Sequence, residues 1–421
     1  MGLLSLNRIN HRVVRQHAEE GAHLWCVRDR LLRAPHVTLR DLRAHDRRIA
    51  AHLDGVAIAN AAGWQLCQEL LENVGAGETF TATVHALEAR TPGCVEQMLA
   101  IAATAGDAWR GAASAFGWVA GDQVGGIVQG LVASDDASVR LIGIAACGMH
   151  RVDPGLLTKN QVADRSPSVR ARALRTAGEI GGSDLVPALV AALASSEGDC
   201  RFRALWSAVL LGNRGAALTL LSEIGTTAGP NRPTALRLAL QAMTTSAAHR
   251  LLQDLIANTG NVHWLIQGSG IAGDPGYVPW LINHMSNDRF ARVAGEAFTL
   301  ITGTKLAHLD LERNPPEKFE SGPNDDPDDL NVDMDPDDGL PWPDPERVQS
   351  WWDTNKARFT PGERYFMGAP VTREHCIDVL KNGYQRQRIL AAHCLRLLEP
   401  GTPLFNTSAP AWRQQRLLSR M

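Results

Sequence analysis

Asp135-Asp136-Ala137-Ser138-Val139-Arg140 opens an Ala/Ile-rich stretch, and Arg165-Ser166-Pro167-Ser168-Val169-Arg170 opens another, with the two Val-Arg pairs thirty residues apart. Each is a short polar turn carrying an N-cap type residue, followed by apolar residues at helical spacing. A third copy, Asp199-Cys200-Arg201-Phe202-Arg203-Ala204-Leu205, puts its arginine thirty-one residues further on. Looser copies are Pro233-Thr234-Ala235-Leu236-Arg237 and Asn287-Asp288-Arg289-Phe290-Ala291-Arg292. Second helices fit between these starts, over Leu185–Leu193 and Val278–Ile282, each after a Gly-rich link. Tandem helix-turn-helix units of about thirty residues are the pattern of an α-solenoid. One such pair has two apolar faces and cannot bury both alone, whereas stacking buries them in a continuous core. The fold class expected is therefore all-α. Arg140, Arg170 and Arg201 fall in the first turn of the inner helices, where each is expected to bond an Asp of the neighbouring repeat and form a ladder.

Outward from the repeats, apolar spacing predicts helices over 12–33, 39–59 and 64–74, ended by Pro35 and Gly75. Residues 1–78 thus read as an N-terminal helical cap and 79–310 as the repeats. Residues 311–347 form a Pro/Asp-rich loop, a composition that cannot pack as a helix. Residues 348–421 read as a C-terminal segment with helices over 348–357, 373–380 and 385–398 and a short one in the tail.

In a chain of 421 residues, 44% hydrophobic and 21% charged residues are ordinary globular usage, with ample material for a core. The net charge is −3, which does not favour direct nucleic-acid or membrane-surface binding. That charge is unevenly placed. Residues 325–346 hold ten acidic side chains and no Lys or Arg, and the rest of the chain carries +7. Seven cysteines, scattered and never in a C-x-x-C pair, read as free thiols of a reducing compartment. The N-terminus has no apolar leader-like run and no stretch approaches a spanning length, so the expected location is the cytoplasm.

The motifs of catalysis and metal binding are weak. His17-Ala18-Glu19-Glu20 lacks the second histidine of a zinc helix. Asp333-Met334-Asp335-Pro336-Asp337-Asp338-Gly339 partly resembles a calcium loop, but its glycine is one place late and a proline interrupts it. Gly125-Gly126 and Gly268-Ser269-Gly270 follow no strand and offer neither a phosphate loop nor a nucleophile elbow. The expectation is a binding protein with no catalytic residue, cofactor or metal. Its candidate partner-binding residues are the carboxylates Asp325, Asp326, Asp328, Asp329, Asp333, Asp335, Asp337 and Asp338, with Trp342 and Trp351 as aromatic anchors. The competing reading of the same run is a solvated linker.

Several local sequences carry a resemblance: Ala51-His52-Leu53-Asp54-Gly55-Val56, Arg201-Phe202-Arg203-Ala204-Leu205-Trp206, and Thr302-Gly303 after Ala294-Gly295-Glu296-Ala297-Phe298. Leu340-Pro341-Trp342-Pro343, Trp351-Trp352 and Pro361-Gly362-Glu363-Arg364-Tyr365 belong with them. Over nearly the whole chain these resemble a proteobacterial family of HEAT-repeat proteins associated with type VI secretion gene clusters. The resemblance implies a solenoid of HEAT-like helix pairs. It also implies an immunity or accessory protein whose partner is a cognate secreted toxin encoded nearby, and it carries over no catalytic residue. A nuclease is the toxin expected first, because a dense run of carboxylates mimics the charge of a phosphate backbone. The alternatives are a secretion adaptor or chaperone scaffold, and a HEAT-repeat enzyme with an unrecognised site.

Overall fold

The computed structural model describes every residue except 1–8, 91–92, 154, 156–159, 258–261, 318, 320–321, 323–334 and 336. It is all-helical among these residues apart from one two-stranded hairpin, β1 (Tyr365–Phe366) against β2 (Ala369–Pro370). Two compact units divide the chain: Met1–Arg33, Val37–Leu211 and Gly401–Met421 form one, and Ala34–His36 with Gly212–Pro400 form the other. These cuts differ from the four segments read along the sequence. The last residues of the chain belong with the first, a long-range association that no local pattern announces.

The first unit contains α1 (His11–Leu31), α2 (Leu39–Ile58), α3 (Ala61–Leu70), α4 (Ala76–Ala89), α5 (Cys94–Thr104), α6 (Ala108–Trp118) and α7 (Gly121–Val132). It continues with α8 (Ala137–His150), α9 (Pro167–Ile180), α10 (Val186–Ala192) and α11 (Gly198–Leu210). Helices α1, α4, α6, α8, α9 and α11 pack in series, while α5, α7 and α10 each pair with the inner helix that follows them. Small residues allow the close stacking. A Cβ on Gly111 would meet the Ala76 carbonyl oxygen at 2.0 Å, and one on Gly178 would meet the Ser207 side chain at 2.5 Å. Hydroxyls add polar rungs between inner helices, from Thr176 to the Ile144 carbonyl (3.2 Å) and from Ser207 to the Leu174 carbonyl (2.7 Å).

The arginine ladder has one complete rung. The Arg140 guanidinium donates to both carboxylate oxygens of Asp164, at 2.8 and 3.0 Å, and to the Ser134 and Asp135 carbonyls. Arg170 repeats the carbonyl clamp, on Asp164 and Arg165, but meets no carboxylate of the next repeat. Arg201 is exposed. The difference lies in the turn that follows each arginine. Asp164 and Ser195 open equivalent turns, each side chain accepting from the backbone two residues on, and only Asp164 can also receive a guanidinium.

The second unit contains α12 (Ala216–Thr226), α13 (Arg232–Ala242), α14 (Thr245–Ile256), α15 (Val262–Ala272), α16 (Val278–His284) and α17 (Asp288–Thr302). Here α13, α15 and α17 stack in series, each paired with the helix before it. Its later helices are α18 (Pro345–Asn355), α19 (Arg373–Asn382) and α20 (Gln385–Leu398). The last helix, α21 (Ala411–Leu418), packs on α2 of the first unit, to which both belong. Among the described residues no helix is long and apolar enough to cross a membrane.

Candidate functional site

The two flanks of the acidic segment meet at a closed base in the second unit. Glu312 pairs with Pro343 as an antiparallel bridge. Beside it the Arg313 amide donates to the Trp342 carbonyl (2.8 Å) and the Asp344 amide to the Leu311 carbonyl (2.9 Å). Asp344 then caps α18, accepting from the Glu346 and Arg347 amides at 3.0 and 3.1 Å, with Pro345 in the first turn where no amide proton is needed.

The returning limb is held by cations and rings. Arg292, on α17 and 6% exposed, pairs with the Asp335 carboxylate and donates to the Asp337 carbonyl at 3.0 Å. Its guanidinium carbon lies 4.4 Å from the Phe319 ring centre and 4.8 Å from that of Trp342, and the two rings meet edge to face. A desolvated guanidinium between two aromatic faces is a favourable arrangement. Arg313 approaches the Trp342 ring at 5.5 Å and pairs with Asp288. The Asp337 carboxylate is hydrogen-bonded to His263 Nε2 at 3.0 Å, and the Asp335 carboxylate accepts from the Asp337 amide.

A cavity of 500 Å³ opens beside this limb, lined by His263, Trp264, Arg289, Phe290, Arg292 and Arg386 among others. A second, of 740 Å³, is lined by residues including His36, Glu296, Lys305 and Tyr384. Glu296 pairs with Arg386 at 3.0 Å. Burial pushes the Glu296 carboxyl above the usual range, although Arg386 pulls it the other way. The cavity at His263 thus combines a half-exposed imidazole, guanidinium groups and aromatic rings, a lining suited to a mixed polar and aromatic ligand surface.

The sequence candidates divide into three groups. Asp325, Asp326, Asp328, Asp329 and Asp333 lie outside the described residues. Asp335 and Asp337 are engaged by Arg292 and His263, and Trp342 is buried beneath the limb. Asp338 is exposed, and Trp351 is half-buried with its ring edge to face with Phe298 at 5.6 Å. For the calcium-like run, the carboxylates of Asp335 and Asp337 are taken up by Arg292 and His263. Among the described residues no group of three or more His, Cys, Asp or Glu could hold a metal ion. Sequence reasoning missed Arg292, His263, Arg313 and Phe319. The signal for Arg292 was present, since it stands in the last repeat-like start. No family model, no curated protein and no solved structure matches the chain.

Proposed function

We propose that this protein is a cytoplasmic binding protein that neutralises a secreted toxin, a nuclease of a type VI secretion system, by direct contact. The observation that supports this reading is the mounting of the acidic segment. The two flanks of the acidic run are joined at a closed base on a stacked helical scaffold, so both of its ends are anchored. Such a run speeds encounter with a basic partner and competes with a nucleic-acid backbone for its groove. The family resemblance supplies the identity of the partner class. Asp335 and Asp337 are engaged internally and Asp338 is exposed, so this reading assigns the capture charge to Asp338 and to Asp325, Asp326, Asp328, Asp329 and Asp333, which lie outside the described residues.

The test uses the product of the adjacent gene. Reversing Asp325, Asp326, Asp328, Asp329 and Asp333 to Lys should slow association about tenfold or more at low salt and flatten its salt dependence. The melting temperature should not move. Unchanged association at low salt would overturn the charge-capture reading. A stable complex that leaves the toxin fully active would instead favour the adaptor or chaperone scaffold.

A further inference from the structure

The histidine pattern that fails along one helix is completed across two. His17-Ala18-Glu19-Glu20 on α1 has no second histidine in a zinc-helix position, and α2, which packs against α1 in the first unit, supplies one in His52. The two Nδ1 atoms stand 3.1 Å apart, with the ring centres at 5.1 Å and the ring planes at 62°. Both rings are half-buried. Gly55, about one helical turn beyond His52, makes the seat for the His17 ring. A Cβ at Gly55 would meet His17 Cδ2 at 2.6 Å and Cγ at 2.7 Å.

Two ring nitrogens facing each other at this distance need a positive charge between them. With both imidazoles protonated on Nε2, both Nδ1 lone pairs enter the same gap and repel. A proton held between the nitrogens relieves that repulsion, and so does a metal ion bound by both. Bonds from a zinc-like cation to imidazole nitrogen are about 2.0–2.1 Å, so two of them at about 90–110° hold their nitrogens about 2.9–3.4 Å apart. The 3.1 Å separation falls within that bite. The surroundings suit a cation as well. Burial is the chief cause that lowers the His52 pKa, with His17 and Arg48 acting the same way, and the neutral ring is the form that ligates. Glu20, three residues beyond His17 and on the same helix face, acts in the opposite sense and favours positive charge at His52.

We propose that His17 and His52 form a two-histidine site, through their Nδ1 atoms, for a divalent transition cation of the nickel, copper or zinc type, and that the bound ion clips α1 to α2. Imidazole nitrogens select such ions over calcium and magnesium, which take oxygen ligands. Among the described residues no third His, Cys, Asp or Glu completes a coordinating group, so water fills the remaining positions. The neutral pair loses no net proton. The ring that donates through Nδ1 takes the Nε2–H tautomer instead, and the ion occupies the place of the proton. The two ligands are 35 residues apart in sequence, and the unfolded chain does not hold them together, so binding stabilises the folded first unit.

The experiment titrates the full-length chain with nickel(II), chosen over zinc to limit capture by the exposed Cys26 thiol. Calorimetry should show a site that calcium does not fill and that weakens about tenfold or more in His17→Ala and in His52→Ala. Gly55→Ala keeps both imidazoles but displaces the His17 ring, and it should also weaken the site about tenfold. In the wild-type chain, acylation of histidines by diethyl pyrocarbonate is mapped by mass spectrometry. Nickel should slow it at His17 and His52 and leave it unchanged at the exposed His23, a readout independent of how well the variants fold. Saturating nickel should raise the wild-type melting temperature by about 3 °C or more and leave that of His52→Ala unmoved. Nickel affinity that survives both histidine variants, or acylation that slows at His23 as much as at His17 and His52, would overturn the proposal.

Discussion

Arg140 and Arg170 occupy the same place in successive repeats yet differ in one contact, and the difference can be tested at single residues. Asp164 is buried with Arg140 in a two-point ion pair, so Asp164→Asn strands a buried guanidinium and should cost about 3 kcal/mol in chemical denaturation. Ser195→Asp supplies the missing acceptor for Arg170, and the expected gain is no more than about 1 kcal/mol because Arg170 is only half-buried. The spacing of the arginines was legible in the sequence, and so was the Asp-to-Ser change six residues before Arg201. Which arginines reach across depends on the residue that opens the next turn, Asp164 for Arg140 and Ser195 for Arg170, and arginine spacing alone does not carry it. A second residue-scale prediction concerns pH. Burial, helped by Arg237, lowers the His393 pKa from 6.5 to about 3. Between those values the unfolded imidazole is protonated and the folded one is not, so the unfolded state binds more protons and stability falls as the pH drops below about 6.5. At pH 5 the loss from this residue is about 2 kcal/mol. His393→Gln should flatten the stability profile between pH 7 and 5, measured by urea unfolding. An unchanged slope would show that His393 does not govern it.

The described returning limb of the acidic segment is an element fixed to the scaffold. Trp342 is buried against Phe319 and Arg292, so Trp342→Ala should destabilise the second unit by about 3–5 kcal/mol, read as a lowered melting transition. The five-fold reversal at Asp325–Asp333 should leave that transition in place. A Trp342→Ala protein with an unaltered melt would return the tryptophan to the role of a surface anchor. The loop was legible from its Pro and Asp content, and so was the importance of its aromatic neighbours. The direction in which they face was not. The side chains that hold the limb, Arg292 and His263, stand 43 and 74 residues earlier than their partners, on helices whose periodicity says only that they are helices. Charge density in a sequence marks a segment, but which of its carboxylates meet partners within the fold depends on contacts that local pattern does not encode.

At the scale of the whole chain, segments outside the stacked helices tie them together by serving their C-terminal ends. A helix end leaves carbonyls without intrahelical donors and carries partial negative charge, so a buried cation there satisfies both. In the second unit Arg364 does this for α13 and α15. In the first unit the tail does it. Arg413 donates to the Gly117, Trp118 and Val119 carbonyls at 2.9–3.2 Å, at the end of α6. Asn406 donates to the Met149 carbonyl on α8, and the Leu404 amide donates to the Glu179 carbonyl on α9. The Ala411 amide donates to Asp46, whose carboxylate is paired with Arg28, and Arg28 in turn donates to the Ser408 and Ala409 carbonyls. The repeats were readable because they are local, whereas this strap joins residues up to 381 positions apart and left no trace in the sequence pattern. Truncation after Pro400 should therefore damage the first unit, whose remaining residues end at Leu211, far from the cut along the chain. Without the tail, the Arg28–Asp46 pair loses its carbonyl and amide partners and the ends of α6, α8 and α9 face solvent. Hydrogen exchange of the truncated protein should accelerate at residues 116–119, 148–151 and 177–181. The amides at the end of α13, near residues 240–243, should keep their protection because Arg364 remains. Faster exchange confined to the second unit, or none at the three helix ends of the first, would show that the tail only lies on the helices and does not hold them.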